Sequence, residues 1–259
     1  MKIAVIPDTH GRSFWKQVKD IIDSVDHIVF LGDYVDPYGY EGITGADALE
    51  NFKEIIEFKK ANPEKVTLLL GNHDGQYMGW SHTYARYDQA RAKEIKETFN
   101  ENFDLFKITH RINNVLFTHA GVSQTWLEQN KFEFTAENIV EKLTEMFKTW
   151  KENYTESAHS CRTEFDFDAN PKFAEIGWSR GGFAASGGPT WAHVTDVTRN
   201  PAYVDELIQI FGHSQMQDDG MVYHKDNCYM CDSRMMFIWD DELQSLKVYE
   251  PNGFTEVTA

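Results

Sequence analysis

Along its first third the chain repeats one order: a short apolar run, a polar loop, then a stretch with helical spacing of apolar residues. Lys2-Ile3-Ala4-Val5-Ile6-Pro7 reads as a buried strand. A helix is predicted over roughly Ser13 to Ser24, with Ser13 as its N-cap and Trp15, Val18, Ile21 and Ile22 on one face. A strand over 27–31 and a loop over 32–43 come next. Thr44 to Asp47 has the form of a capping box with Asp in place of Glu, and opens a helix to about Lys60 that turns Leu49, Phe52, Ile55 and Ile56 inward. Val66 to Leu70 is the third apolar run. Strands and helices that alternate in this way predict parallel pairing with right-handed crossovers.

Beyond that the texture changes. Residues 84–101 read as a solvent-laced helix, with Lys93, Glu94, Lys96 and Glu97 interspersed. Phe106 to Thr109 and Asn113 to Thr118 read as two short strands, and Thr135 as the cap of a helix to about Tyr154. Residues 155–200 form an irregular insertion rich in Gly and aromatics, among them Phe165, Phe167, Trp178, Phe183 and Trp191; so long an aperiodic stretch is usually functional or disordered, and the aromatics favour a packed region. Pro201 starts a short helix, Ile208 to Phe211 is a strand, and three short strands are expected near Tyr229–Asp232, Met236–Trp239 and Leu246–Tyr249. The whole, 1–259, is read as a single domain.

Charge and cysteine usage narrow the partners. The formal net charge of −16 repels nucleic-acid backbones, so no nucleic-acid binding is expected. A small phosphorylated substrate remains compatible, because bound metal ions invert the sign locally. No apolar run approaches the roughly 18 residues of a membrane span, and the N-terminus has no signal-peptide pattern, so no membrane association is expected. Three cysteines, Cys161, Cys228 and Cys231, are an odd number that suits a reduced compartment, and the expected location is the cytoplasm. Cys228 and Cys231 have metal-pair spacing but no second pair nearby, which favours plain burial.

The chemistry gathers where apolar runs end. The first leads into Asp8-Thr9-His10, the second into Gly32-Asp33-Tyr34-Val35-Asp36, and the third into Gly71-Asn72-His73-Asp74. Two later strands lead into His119-Ala120-Gly121 and Gly212-His213. Open α/β sheets place their sites beyond such strand ends. The ordered series resembles the calcineurin-like metallophosphoesterase superfamily. Gly32 to Asp36 and Phe117 to Gly121 look most like its serine/threonine protein phosphatase branch, as does Gly188-Pro189-Thr190-Trp191, a segment also found in that branch's bacterial relatives. With the alternation above, the resemblance leads us to expect an α/β fold of four layers, two mixed sheets face to face with helices outside.

The resemblance further implies two metal ions. Asp8 and His10 would bind the first, Asn72, His119 and His213 the second, and Asp33 would bridge them. Mixed nitrogen and oxygen ligands suit manganese first, or iron or zinc, over calcium and magnesium. His73 would protonate the leaving oxygen and Asp74 would orient it, with Asp36 behind them. Two departures stand out. Gln215 replaces the second histidine of a G-H-x-H motif, leaving a first-metal position to water or to Gln215 itself. Pro37 replaces the arginine that clamps phosphate in the protein phosphatases; Arg180, and after it His193, are candidates to stand in. The expected activity is hydrolysis of a phosphomonoester, either a phosphoprotein or a small phosphate ester. The alternatives are cleavage of a phosphodiester or dinucleoside polyphosphate, and a metal-binding scaffold without catalysis. His27, His82, His110, His159 and His224 carry no assignment.

Overall fold

The computed structural model describes residues 1–80, 85–157, 171–250 and 253–256. The strands are β1 (Lys2–Ile6), β2 (His27–Phe30), β3 (Val66–Leu69), β4 (Phe106–Lys107), β5 (Thr109–Ile112) and β6 (Val115–Thr118). They continue with β7 (Ile208–Phe211), β8 (Tyr223–Lys225), β9 (Cys228–Met230), β10 (Phe237–Asp240), β11 (Ser245–Glu250) and β12 (Gly253–Glu256). The helices are α1 (Gly45–Ala61), α2 (Asn72–Tyr77), α3 (Ala92–Glu101), α4 (Gln124–Gln129), α5 (Ile139–Ser157) and α6 (Val194–Arg199).

Two mixed sheets result. One runs β12-β11-β10-β1-β2-β3-β4 and the other β5-β6-β7-β9-β8. β1, β2, β3 and β4 pair in parallel, as the strand–helix alternation predicts. In the second sheet β6, β7 and β9 are parallel. Because side chains alternate along a strand, β1 serves two cores. Ile3 and Val5 join Val29 and Leu69 in meeting Val115, Phe117 and Ile210 from the other sheet. Ala4 and Ile6 join Phe30 and Leu68 under Leu49, Phe52 and Ile55 of α1. On the far side Ala120, Phe211 and Met230 pack against Val197 of α6. The four layers are those expected.

Packing carries directly into the site. Phe52 is fully buried, which stabilises the fold by roughly 1.5–3 kcal/mol, and stacks on Tyr34 at 5.1 Å between ring centroids. The Tyr34 hydroxyl donates to the Leu69 carbonyl at 2.6 Å. The loop carrying Asp33 is thereby pinned to β3. α1 begins with the expected reciprocal cap: Thr44 Oγ1 accepts the Asp47 N–H at 3.1 Å while Asp47 Oδ2 accepts the Thr44 N–H at 3.0 Å.

Several elements depart from expectation. Phe14–Ser24 is wound as a 3₁₀ helix, and Ser13 makes no side-chain cap bond; Trp15, Val18 and Ile21 stand three apart, matching that tighter repeat. Residues 85–91 are not helical, and Arg86 adopts a left-handed backbone (φ 69°) that breaks any helical run. The strand read as Phe106–Thr109 divides, Phe106 pairing with Leu68 and Thr109 with Thr118, so the chain changes sheet at buried Ile108. α5 starts at Ile139, after Thr135 accepts the Asn138 N–H at 3.2 Å. Turns follow Pro201 in place of a helix, whereas α6 precedes it. β8 and β12 add to the strands expected from the sequence. Cys161, Phe165, Phe167, His82 and His159 lie outside the described residues. Among the described residues no helix is long and apolar enough to cross a membrane.

Candidate metal centre

The ends of β1, β2, β3, β6 and β7 meet at one edge, and the backbone there is held in unusual conformations. His10 (φ 44°), Asp33 (φ 55°), Asp36 (φ 60°) and His213 (φ 69°) all occupy the left-handed region, a cost that clusters at functional sites. Gly71 is there for close approach: a Cβ would lie 2.1 Å from Asp33 Oδ1 and 2.7 Å from His119 Cε1. At Gly212 a Cβ would lie 2.1 Å from Asp8 Oδ1.

Four acceptor-bearing side chains converge beside Gly71. His119 Nδ1 donates to the Leu31 carbonyl at 2.9 Å, so its Nε2 presents a lone pair. That Nε2 stands 3.0 Å from Asn72 Oδ1, 3.1 Å from His213 Nδ1 and 3.5 Å from Asp33 Oδ2. On the other side of Asp33, His10 Nδ1 donates to the Val35 carbonyl at 2.8 Å, and His10 Nε2 faces Asp33 Oδ2 at 3.6 Å. Two ligands each about 2.1 Å from one ion stand roughly 3.0–3.6 Å apart at angles of about 90–120°, so the donor set fits a cation on either side of Asp33. His10, Asp33 and His73 form one group whose ligand atoms lie within 4.8 Å of one another, and Asp33, His119 and His213 form another. Asp8 is in neither group. Its carboxylate lies beside them, both oxygens accepting the His213 backbone N–H at 3.1 Å, which leaves lone pairs for a further partner.

Electrostatics point the same way. Burial, reinforced by neighbouring positive groups, pushes His10 and His213 well below the usual imidazole range, and burial lowers His119. Burial first, then the charges of Asp8 and Asp74, pushes Asp33 well above the carboxylate range. Neutral imidazoles around a carboxylate crowded by other carboxylates are ligands that a divalent ion would satisfy.

His73 and its partners differ from expectation. His73 Nδ1 bonds to Asp36 Oδ2 at 2.8 Å, and Asp36 is also bonded by Gln76 Nε2 and the Tyr77 hydroxyl. Asp74, expected to orient His73, accepts the backbone N–H groups of Asp33, Gly71 and Tyr34 at 2.8, 2.8 and 2.9 Å. A carboxylate at the third residue of α2 is held by the helix N-terminus and the loop beside it, which turns it away from the imidazole. His73, Gln76 and Tyr77 stand at i, i+3 and i+4, a spacing that brings side chains to one helix face and was a legible signal.

Of the substrate-binding candidates, Arg180 lies on the His213 side. Its Nη2 donates to Ser214 Oγ at 2.8 Å and to the His213 carbonyl at 3.3 Å, and its buried Nε has no partner among the described residues. His193 is engaged elsewhere, its Nδ1 accepting the Thr195 N–H at 3.2 Å to cap α6. Gln215 Nε2 reaches Tyr40 at 3.4 Å rather than the histidines. Two further groups stand at the site. Arg86 Nη2 stands 3.1 Å from His73 Nε2. Asp232, just past β9, is buried with Oδ1 unpartnered among the described residues, and burial and the Asp8 charge raise its carboxyl well above the usual range. Asp232 shares the strand-then-acid build of Asp8, which was its signal; Arg86 had none. Cys228 and Cys231 are buried and unpaired, and burial pushes the Cys228 thiol up to about 12.

A two-sheet α/β sandwich with histidine, aspartate and asparagine gathered at its strand ends defines the class, and comparison with known proteins agrees. The family model for calcineurin-like phosphoesterases matches residues 1–215, and the chain belongs to that family. A Schizosaccharomyces pombe protein provisionally named as a serine/threonine-protein phosphatase is 28% identical over 134 residues, covering 47% of this chain and 39% of that protein. A similarly named Encephalitozoon cuniculi protein is 26% identical over 132 residues, covering 48% and 27%. The chain thus spans well under half the length of either relative. A solved cold-active protein tyrosine phosphatase shares the fold at a TM-score of 0.60, with 18% identity over 95% of this chain and 75% of that one.

Proposed function

We propose that this chain is a dinuclear-metal phosphatase acting on a phosphomonoester, with Asp33 shared by both ions. The observation that carries this reading is the pair of near-equal distances, 3.6 and 3.5 Å, from Asp33 Oδ2 to His10 Nε2 and His119 Nε2. Asp8, His10 and Asp33 would hold the first ion, and Asn72, Asp33, His119 and His213 the second. Manganese suits the set best, with iron or zinc next. When bound, such a pair supplies an activated water and neutralises charge on the phosphoryl oxygens.

The chain's own residues do the rest. Asp36 fixes the His73 ring through Nδ1, which leaves Nε2 to deliver a proton to the leaving oxygen. Asp36, rather than Asp74, is the orienting acid in this reading. Asp74 holds the turns that carry Asp33 and Asn72. Arg180 steadies a phosphoryl oxygen from the His213 side. The substrate is a phosphoprotein or a small phosphate ester, handled in the cytoplasm by a single domain.

Elemental analysis of manganese-loaded protein, paired with turnover of p-nitrophenyl phosphate and its bis-ester, tests the reading. The expectation is about two ions per chain, loss of both in Asp33→Asn, and preference for the monoester. A single ion at saturation would refute the dinuclear centre. Preference for the bis-ester would make the chain a phosphodiesterase.

A further inference from the structure

The turn after Asp36 carries proline where an arginine would clamp phosphate, yet a guanidinium sits on that same turn. It belongs to Arg86, whose Nε donates to the Asp36 carbonyl at 3.0 Å. The guanidinium carbon lies 3.7 Å over the centre of the Tyr38 ring. Both flanks of Pro37 therefore hold it, one by a hydrogen bond and the other by a stacked aromatic face. Nη2 extends from these anchors to stand 3.1 Å from His73 Nε2 and 3.3 Å from His10 Nε2. Its backbone is left-handed (φ 69°), a conformation that costs free energy in a non-glycine residue.

Charge balance gives the arrangement a purpose. Arg12, on the loop after β1, is neutralised by Glu41 at 2.8 Å. Among the described residues neither Arg86 nor Arg180 has a carboxylate within ion-pair reach; Arg86 reaches His73 and His10, and Arg180 reaches the His213 carbonyl. A fixed guanidinium offers two parallel N–H donors at the spacing of phosphate oxygens. Pinning by Asp36 and Tyr38 also removes most of the rotamer freedom that binding would otherwise cost.

We propose that Arg86 binds the phosphoryl group of the substrate, taking over from a different segment the place left by Pro37 and closing on the anion opposite Arg180. The proposal rests on the phosphatase reading above. It assigns to Arg86 binding of the phosphate dianion itself, so the free anion serves as the probe.

The test uses Arg86→Ala and Arg86→Lys in the manganese-loaded full chain. Metal content, calorimetric binding of inorganic phosphate, and KM and kcat on p-nitrophenyl phosphate are measured together. Arg86→Ala should keep its ions, weaken phosphate binding about 10-fold or more and raise KM to match, the loss expected of a charge-assisted bond. Arg86→Lys, which keeps the charge but not the fork, should recover part of that affinity. The double variant with Arg180→Ala should lose more than either single one. Phosphate binding within about twofold of wild type in Arg86→Ala overturns the proposal. Loss of metal in both variants overturns it as well, because Arg86 would then support the ligands and not the anion. Wild-type protein that holds metal but neither binds phosphate nor cleaves a monoester sinks the phosphatase reading itself, a separate outcome.

Discussion

Replacing Asp36 by asparagine keeps the shape of the side chain and removes its charge, which isolates its effect on His73. Three donors converge on this carboxylate: His73 Nδ1 at 2.8 Å and Gln76 Nε2 on Oδ2, and the Tyr77 hydroxyl on Oδ1. Asparagine offers one acceptor oxygen and one amide group, so one side must face an amide. On the Oδ2 side the amide would confront two N–H donors. On the Oδ1 side it meets only the Tyr77 oxygen, which already accepts the Asp88 N–H at 2.9 Å and has room for another donor. The amide therefore settles toward Tyr77, and the His73 bond survives without its charge. A bond to a charged group contributes roughly 1.5–3 kcal/mol against 0.5–1.5 for a neutral one. The deficit of about 1–1.5 kcal/mol falls on the protonated imidazole and lowers kcat by roughly 10-fold. Alkyl phosphates, whose leaving oxygen needs the proton, should suffer more than p-nitrophenyl phosphate, and metal content should hold. Asp74→Asn should do the opposite. It loses a backbone bond in a buried turn, costing roughly 1–3 kcal/mol in urea unfolding, with little effect on the leaving-group dependence. A normal Asp36→Asn alongside an Asp74→Asn that loses leaving-group sensitivity would refute the assignment and return the orienting role to Asp74.

Gly71→Ala should lower metal content and stability together, since its Cβ would fall 2.1 Å from Asp33 Oδ1; undisturbed manganese binding by elemental analysis would contradict the geometry. Arg180→Ala should raise KM about 10-fold or more without loss of ions, and unchanged steady-state kinetics would confine it to bonding Ser214. His110, half-buried on β5, is pushed down to about 4 by burial and by the charges of Lys107, His27 and Lys59. Between pH 6.5 and 4 the unfolded chain then binds the extra proton, so stability falls as pH falls through that window. Urea midpoints of His110→Gln should decline less than wild type from pH 7 to pH 5, and equal declines would rule His110 out as a source of acid sensitivity.

The sequence determined those features whose physics is local. Apolar runs of four or five residues made β1, β2 and β3. Thr44 and Asp47, three apart, capped α1. The polar residues just past each apolar run marked the edge where the site forms, because a strand's end places whatever follows it at the sheet's rim. Tertiary structure alone decided what depends on distant segments meeting. Phe106–Ile112 carries no turn residue that marks a break, yet its backbone groups go to different sheets on either side of Ile108. Asp36 and Asp74 are both acids near His73, and the choice between them turned on which backbone N–H groups were left for Asp74 to accept across 40 residues or more. Arg86 reaches the Asp36 carbonyl from 50 residues away. No periodicity or spacing encodes such a contact, because it exists only once β2, β3 and the chain beyond α2 have closed around the same few ångströms.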